Sequence, residues 1–476
     1  MKLISKYYDM YIIHTCSVAY NIQMSSTSTA TATAPFSPLS KHITNTLTKD
    51  EKKNGGIFFT PPSCIQQIMA LLRDDVSLST HTFDTILEPS CGSGEFLSVL
   101  MRQYPNAWIT GVEIHPVIYA EVSTHFNSLV GGGGGRVSIQ HGDFLKYSIP
   151  SSSAGIGPGP GPGPDLIIGN PPYFVMKKEE VDAEYYPFFD GRPNIFILFI
   201  IKSAQLLRAG GVLCFVLPSS FMNSHYYDKT RKYIVRHFAI LHIVKCDGGG
   251  GGDEGYLDTQ QGTFILILRK YGAGVESLAC TSGAGVFEYA GASIFTDNLP
   301  RLISLYAGST SLHELGFEVS IGTVVWNQCK DILTNDATKT RLIYNSNIQE
   351  GRFEHKTYKN GEKKAFIDKP GIHTPMIVVN RGYGVGKYKF YYCLITPDAV
   401  STSSSSSAGY LIENHLICIT HKSSTGTTDA PSSLAAFHRV IKSFQDPRTQ
   451  EFISYYCGNN AISSTELHLM LPIYGS

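Results

Sequence analysis

The sequence has no surplus charge of either sign: 39 Lys and Arg stand against 39 Asp and Glu, and charged residues are only 16% of the chain. That balance excludes a polybasic protein that grips nucleic acid by bulk charge, though not one with a local basic surface. No charge-free apolar run of 18 residues occurs, so no segment reads as a transmembrane helix and no membrane partner is expected. The ten cysteines are scattered without a single C-x-x-C pair. A zinc ribbon or thioredoxin-like motif is therefore not expected, no metal is called for, and a reduced intracellular compartment, cytoplasm or nucleus, is the simplest reading. Near the N-terminus, Asp9 interrupts the apolar patch at 7–13, which fits a secretory signal poorly. Acids are scarce there but so is arginine; residues 1–49 read as a disordered leader, with organelle import left open.

The chain of 476 residues is long enough for two or three domains, and 42% hydrophobic residues supply a core. Glycine, proline and serine runs at 131–135, 157–164, 248–252 and 402–407 cannot pack a core and read as loop expansions. Between them, residues 83–270 alternate short Val/Ile/Phe-rich runs (83–88, 108–114, 137–140, 165–169, 212–217, 240–246 and 263–269) with helical stretches at 95–103, 117–127, 194–207 and 226–238. The pattern predicts an α/β domain with a mostly parallel sheet, whose ligands bind beyond the carboxyl ends of the strands. Residues 272–310 read as a linker with a short strand or helix. Residues 311–476 read as a separate mixed, β-rich domain, with a helix at 434–444.

The turn after the first strand reads Glu88-Pro89-Ser90-Cys91-Gly92-Ser93-Gly94-Glu95-Phe96. Two glycines let backbone approach a ligand and open the next helix. A complete G-x-G-x-x-G and a Walker lysine are both missing, and an acid at the strand end suits an ammonium group better than a phosphate. Glu113, followed by Ile114, ends the second strand where a carboxylate meets ribose hydroxyls; Asp143 and Phe144 follow the third, where a nucleoside ring could rest. Each feature alone serves equally as a packing turn, a solvated acid or a loop cap. Three at successive strand ends fit a nucleoside with an amino-acid tail, S-adenosylmethionine.

The fourth strand ends in Asn170-Pro171-Pro172-Tyr173. The two prolines stiffen an extended corner. The Asn170 side chain and the Pro171 carbonyl offer two acceptors, and Tyr173 offers a ring for stacking on a planar base. This set answers a chemical difficulty. An aromatic amine is a poor nucleophile because its lone pair is delocalised, and acceptors that hold its two protons favour a pyramidal nitrogen with the pair directed outward. A sulfonium methyl can then be taken in line, by proximity and preorganisation alone.

With these motifs the chain resembles the amino-group DNA methyltransferases, most closely the gamma-ordered adenine-N6 group and the methylases of type II restriction–modification systems. The resemblance spans roughly residues 50–476. It implies a Rossmann-like seven-stranded S-adenosylmethionine-dependent methyltransferase domain at 50–271 and a β-rich target-recognition domain at 311–476. Phe59-Thr60-Pro61-Pro62 matches the segment that closes over the methionine part of the cofactor. Glu88, Ser90, Gly92 and Gly94 match the first cofactor motif; Glu113 with Ile114, and Asp143 with Phe144, match the ribose and adenine contacts. Asn170, Pro171, Pro172 and Tyr173 match the catalytic motif unchanged, and Asn170 also faces the cofactor. Asn194, Phe196, Gly210-Gly211 and Pro218-Ser219 match later motifs, and Tyr256 is the nearest aromatic for the other face of an extruded base. The resemblance implies duplex DNA as partner and leaves room for a separately encoded restriction endonuclease.

Charge supports a nucleic-acid surface in the second domain. Residues 352–389 contain nine basic residues, among them Arg352, Lys356, Lys363, Lys364, Arg381 and Lys387, against Glu354, Glu362 and Asp368. The leading expectation is a sequence-specific adenine-N6 DNA methyltransferase acting on a flipped base. Cytosine N4, RNA adenine or protein glutamine as the amine, and a non-catalytic DNA-binding protein on a relic fold, stay open beside it.

Overall fold

The computed structural model describes residues 35–130, 136–149, 163–246, 262–272, 284–349, 351–356, 358, 361–381, 388–400, 408–421, 430–456 and 462–475. The chain divides into two compact units, 1–300 and 301–476.

In the first unit the strands are β1 (Thr85–Glu88), β2 (Trp108–Glu113), β3 (Val137–His141), β4 (Leu166–Gly169), β5 (Val212–Pro218), β6 (Phe238–Lys245) and β7 (Thr263–Lys270). They form one sheet in the order β3-β2-β1-β4-β5-β7-β6. The first five are parallel, whereas β7 runs antiparallel between β5 and β6. All seven expected strands are present, in the Rossmann-like arrangement expected. Strands β4 and β5 are buried along their whole length, as strands covered on both faces must be, so they read as unbroken apolar runs.

The helices of this unit are α1 (Pro38–Thr46), α2 (Lys49–Gly55), α3 (Pro62–Asp74), α4 (Glu95–Gln103), α5 (Pro116–Val130), α6 (Ile195–Leu206) and α7 (Asp228–His237). One core cluster joins Ile65 and Ile68 of α3, Leu97 of α4 and Val122 of α5 to the sheet. On the opposite face Phe196, Ile197 and Ile200 of α6 and Ile234 of α7 do the same. At the start of β4 the polar anchor is Asp165, whose carboxylate accepts from the amides of Asp84 and Thr85, at 3.0 and 2.7 Å, and pairs with Arg208. Despite burial, those hydrogen bonds hold its carboxyl below the usual range.

The stretch at 272–310, read as a linker with a short strand or helix, holds both: a hairpin, Gly285–Tyr289 with Ala292–Thr296, then helix Leu299–Tyr306. Two sequence expectations need correction. The stretch read as a disordered leader includes helix α1 at 38–46, capped by the Ser37 side chain on the Ser40 amide and carrying Pro38 in its first turn. The cysteines are not all free: Cys64 of α3 and Cys246 after β6 form a disulfide, 182 residues apart in sequence and 5.5 Å apart at Cα. Packing of α3 against the sheet brings them together, which spacing in the sequence could not show.

The second unit contains two four-stranded sheets. One runs Phe317–Ile321, Leu416–His421, Met376–Asn380, Tyr392–Ile395, all antiparallel. The other runs Leu333–Thr334, Phe366–Ile367, Thr340–Ile343, Tyr410–Ile412. Helix Ala430–Phe444 matches the expected one. The largely apolar run at 411–419 is broken by a turn at 413–415, where buried Glu413 bonds His415 at 2.6 Å, so its halves serve different sheets. Among the described residues no helix is long and apolar enough to cross a membrane.

Candidate active site

The carboxyl ends of β1, β2 and β4 and the turn after β3 open on one cavity of about 280 Å³. Of the residues expected there, Thr60, Glu88, Ser90, Gly92, Glu113, Ile114, Asp143, Phe144, Asn170 and Pro172 line it together. Pro61, Gly94, Pro171 and Tyr173 do not line it. Pro61 caps α3 and Gly94 caps α4.

The first loop is bent by two glycines in the left-handed region, Gly92 at φ 49° and Gly94 at φ 79°. A Cβ on Gly92 would meet the Phe59 ring at 3.1 Å, and one on Gly94 would run into Phe126. The sequence therefore needs glycine at both points, for space and for backbone angle. The Cys91 amide donates to the Val112 carbonyl at 2.9 Å, which lays the loop over β2.

The two acids at the strand ends are held differently. Glu113 accepts the Gly92 and His115 amides at 2.9 and 2.7 Å, one on each oxygen. Glu88, only 1% exposed, has Oε2 buried without a hydrogen-bond partner among the described residues. Burial pushes the Glu88 carboxyl well above the ordinary range, and Glu113 beside it adds to the effect. Burial also raises Glu113, against the pull of its amide donors. A buried acid with an open oxygen is costly unless a cation meets it. On the neighbouring wall Ile114 is 64% exposed and Phe144 presents an apolar face. Asp143 caps the following turn through the Leu145 amide, 2.9 Å away, while also lining the cavity.

Asn170 is held on three sides. Its carbonyl accepts from Ser90 Oγ at 3.1 Å, its Nδ2 donates to the Phe58 carbonyl at 3.2 Å, and its Oδ1 accepts from the Tyr173 hydroxyl at 2.5 Å. The same hydroxyl lies 2.8 Å from the Val216 carbonyl. Those bonds draw the Tyr173 phenol inward, and its ring packs edge-on to Phe196 at 6.0 Å.

Sequence reading missed part of the wall: Gly56, Phe58, Ser93, His115, Phe174 and Phe199 also line the cavity. It also missed α1, whose buried Ser40 hydroxyl stands 2.7 Å from Ser93 Oγ and 2.5 Å from Glu95 Oε1. That oxygen also accepts the Ser37 amide at 2.8 Å. The available signals were the Gly55-Gly56 pair and the Ser37-Pro38 helix start; nothing marked Phe199.

In the second unit the expected nucleic-acid contacts have unlike settings. Arg352 is exposed, Lys364 is half-buried, Lys356 pairs with Glu354 at 2.8 Å, and Arg381 reaches the Asn414 carbonyl at 3.3 Å. Lys363 is not free at the surface: its ammonium lies 4.1, 5.1 and 5.8 Å from the ring centres of Tyr344, Tyr358 and Trp326, and burial lowers its pKa. Tyr256 and Lys387 lie outside the described residues. Among the described residues no three His, Cys, Asp or Glu side chains group as metal ligands.

Residues 159–250 match the family described as Eco57I restriction-modification methylase. Over 435 residues the chain is 26% identical to the type II methyltransferase M.CvrRI of Paramecium bursaria Chlorella virus XZ-6E, covering 90% of this chain and 96% of that one. It is 31% identical over 282 residues to the modification methylase CviBIII of Chlorella virus NC1A, covering 58% of this chain and 63% of the relative, just under two thirds of its length. Among solved structures, the type I restriction-modification methyltransferase subunit of Streptococcus thermophilus overlaps 50% of each chain at 19% identity, with a TM-score of 0.36. At that score the overlap carries no weight; the strand order itself defines the fold.

Proposed function

We propose that this chain is a methyltransferase of the Eco57I restriction-modification type and that it transfers a methyl group from S-adenosylmethionine to the N6 amine of an adenine flipped out of duplex DNA. One observation carries the reading. Asn170, an amine-holding acceptor, and Glu88, a buried acid with an open oxygen, line the same cavity.

The residues fit the cofactor. Glu88 Oε2 offers the ammonium of the methionine part a charged acceptor, and bare backbone at Gly92 leaves room beside it. Glu113, already oriented by two amides, keeps lone pairs for ribose hydroxyls. Ile114 and Phe144 supply apolar faces for the adenine ring, with Asp143 at its edge. S-adenosylmethionine, when bound, supplies the sulfonium methyl: the nitrogen–carbon bond forms as the carbon–sulfur bond breaks, sulfur keeps the electron pair, and the methylated nitrogen releases one proton to water.

The chain's own part is to hold and orient. Asn170 Oδ1 and the Pro171 carbonyl take the two protons of the target amine, so its lone pair points at the methyl. Tyr173 stacks on the flipped base, and Tyr256 is its counterpart on the other face. The second unit selects the site, with Arg352, Lys356, Lys364, Arg381 and Lys387 on phosphates. No metal takes part, and a separately encoded endonuclease is the natural partner of such a methylase.

Calorimetry with S-adenosylhomocysteine tests the cofactor site, and radiolabelled methyl transfer to duplex DNA tests the reaction. Heat on titration and label in N6-methyladenine are expected. No heat would favour a relic fold, and label confined to cytosine N4, RNA or protein would move the assignment to that amine.

A further inference from the structure

We propose that the Tyr173 hydroxyl is a positioning group that fixes the Asn170 amide in the one orientation able to accept a proton from the target amine. The proposal rests on the methyl-transfer reading above and adds a role for Tyr173 separate from stacking. The two ends of an asparagine amide have almost the same shape and opposite hydrogen-bonding character. Rotated by half a turn, Asn170 would point its NH₂ at the amine. It would then donate into the lone pair that has to attack the methyl, and the nucleophile would be quenched.

Two contacts select against that rotation. The Tyr173 hydroxyl donates to Oδ1, 2.5 Å away, the nearer of its two acceptors; the Val216 carbonyl is 2.8 Å away. The Phe58 carbonyl can only accept, and it takes Nδ2 at 3.2 Å. A rotated amide would set oxygen against the Phe58 carbonyl, and the hydroxyl would lose its nearer acceptor and have to turn its proton to the Val216 carbonyl. Oδ1 keeps a second lone pair for the substrate. The geometry around these contacts is tight. A Cβ on Gly56 would come within 2.8 Å of the Tyr173 amide nitrogen, so the segment carrying Phe58 lies directly on the corner. Phe196 braces the phenol edge-on.

Tyr173→Phe keeps the ring and removes only the hydroxyl. In the full-length chain, single-turnover methyl transfer should fall about 10- to 100-fold, since a misaligned reacting group costs rates of that order. Affinities for S-adenosylhomocysteine and for DNA, and the melting temperature, should stay within about twofold or unchanged, because stacking survives. A transfer rate within about twofold of wild type overturns the proposal, as does a loss carried wholly by DNA affinity. A second readout does not depend on methyl transfer. With asparagine-selective nitrogen labelling, the Asn170 side-chain protons should exchange with solvent at least about tenfold faster in Y173F than in wild type. An unchanged exchange rate refutes the positioning role. A wild-type chain that methylates no DNA amine refutes the proposed function instead, and the exchange measurement still decides this one.

Discussion

Glu88 and Glu113 end adjacent strands and share one cavity wall, yet only Glu113 has both carboxylate oxygens bonded by backbone amides, while Glu88 Oε2 is buried with no partner among the described residues. The pair divides two tasks: Glu113 shapes the loop through Gly92, and Glu88 keeps an acceptor in reserve.

Glu88→Gln should therefore separate stability from binding. The folded pKa of Glu88 is raised, so the stability it lends is full below the ordinary value of 4.5 and is lost as pH climbs through the higher folded value. The glutamine variant lacks that dependence, and without ligand it should be more stable at neutral pH by about 1–3 kcal/mol. Its affinity for S-adenosylhomocysteine should fall about 10- to 100-fold, the worth of a charged hydrogen bond. Melting curves across pH and calorimetry check both halves. A variant that melts lower and binds as tightly contradicts the role given to Glu88.

Gly94→Ala meets two obstacles, a left-handed backbone at φ 79° and the Phe126 ring. A loss of about 1–3 kcal/mol in chemical denaturation is expected from the backbone alone. Gly210→Ala, at φ 76° with only the Arg208 side chain 3.9 Å away, should show the backbone cost without the clash. Equal losses in the two variants would show that the Phe126 contact is unimportant.

Ser40→Ala should loosen α1 from the cofactor loop, because Ser40 bridges Ser93 and Glu95 in a fully buried setting. Leaving Ser93 and Glu95 short of a partner should cost about 1–3 kcal/mol. Faster hydrogen exchange across 38–46 and weaker cofactor binding are the expected readouts. Unchanged exchange would mean that α1 is held by Ile43 and its neighbours alone.

Lys363 and Arg352 should respond differently to alanine. Lys363 sits among three rings, so Lys363→Ala should lower the melting temperature by the equivalent of about 1–2 kcal/mol. Arg352 is exposed, and Arg352→Ala should instead make the slope of log affinity against log salt shallower by about one. Filter binding at several salt concentrations together with melting curves distinguishes them. A salt-slope change in K363A without destabilisation would return Lys363 to the DNA surface.

What the sequence made legible follows from burial. Strands covered on both faces are unbroken apolar runs, so every strand of the large sheet could be read, and so could the acids and glycines at its carboxyl ends. Helix α1 was hidden because its surface is mostly polar and only Ser40 and Ile43 are buried in it. The break at 413–415 was hidden because apolar residues flank it on both sides and only tertiary contacts place its halves in different sheets. Which lysine is enclosed by rings, which cysteines meet, and which way the Tyr173 hydroxyl points all depend on residues distant in sequence. No local pattern records them.

The central claim is that Asn170 holds an adenine amine for methyl transfer. It is tested most directly by incubating wild-type and Asn170→Ala chains with methyl-labelled S-adenosylmethionine and duplex DNA, then digesting the DNA to nucleosides. The account predicts label in N6-methyladenine with the wild-type chain and at least about a hundredfold less with the variant, whose cofactor binding is kept. Label at cytosine N4 alone, or equal N6-methyladenine from both chains, would contradict it.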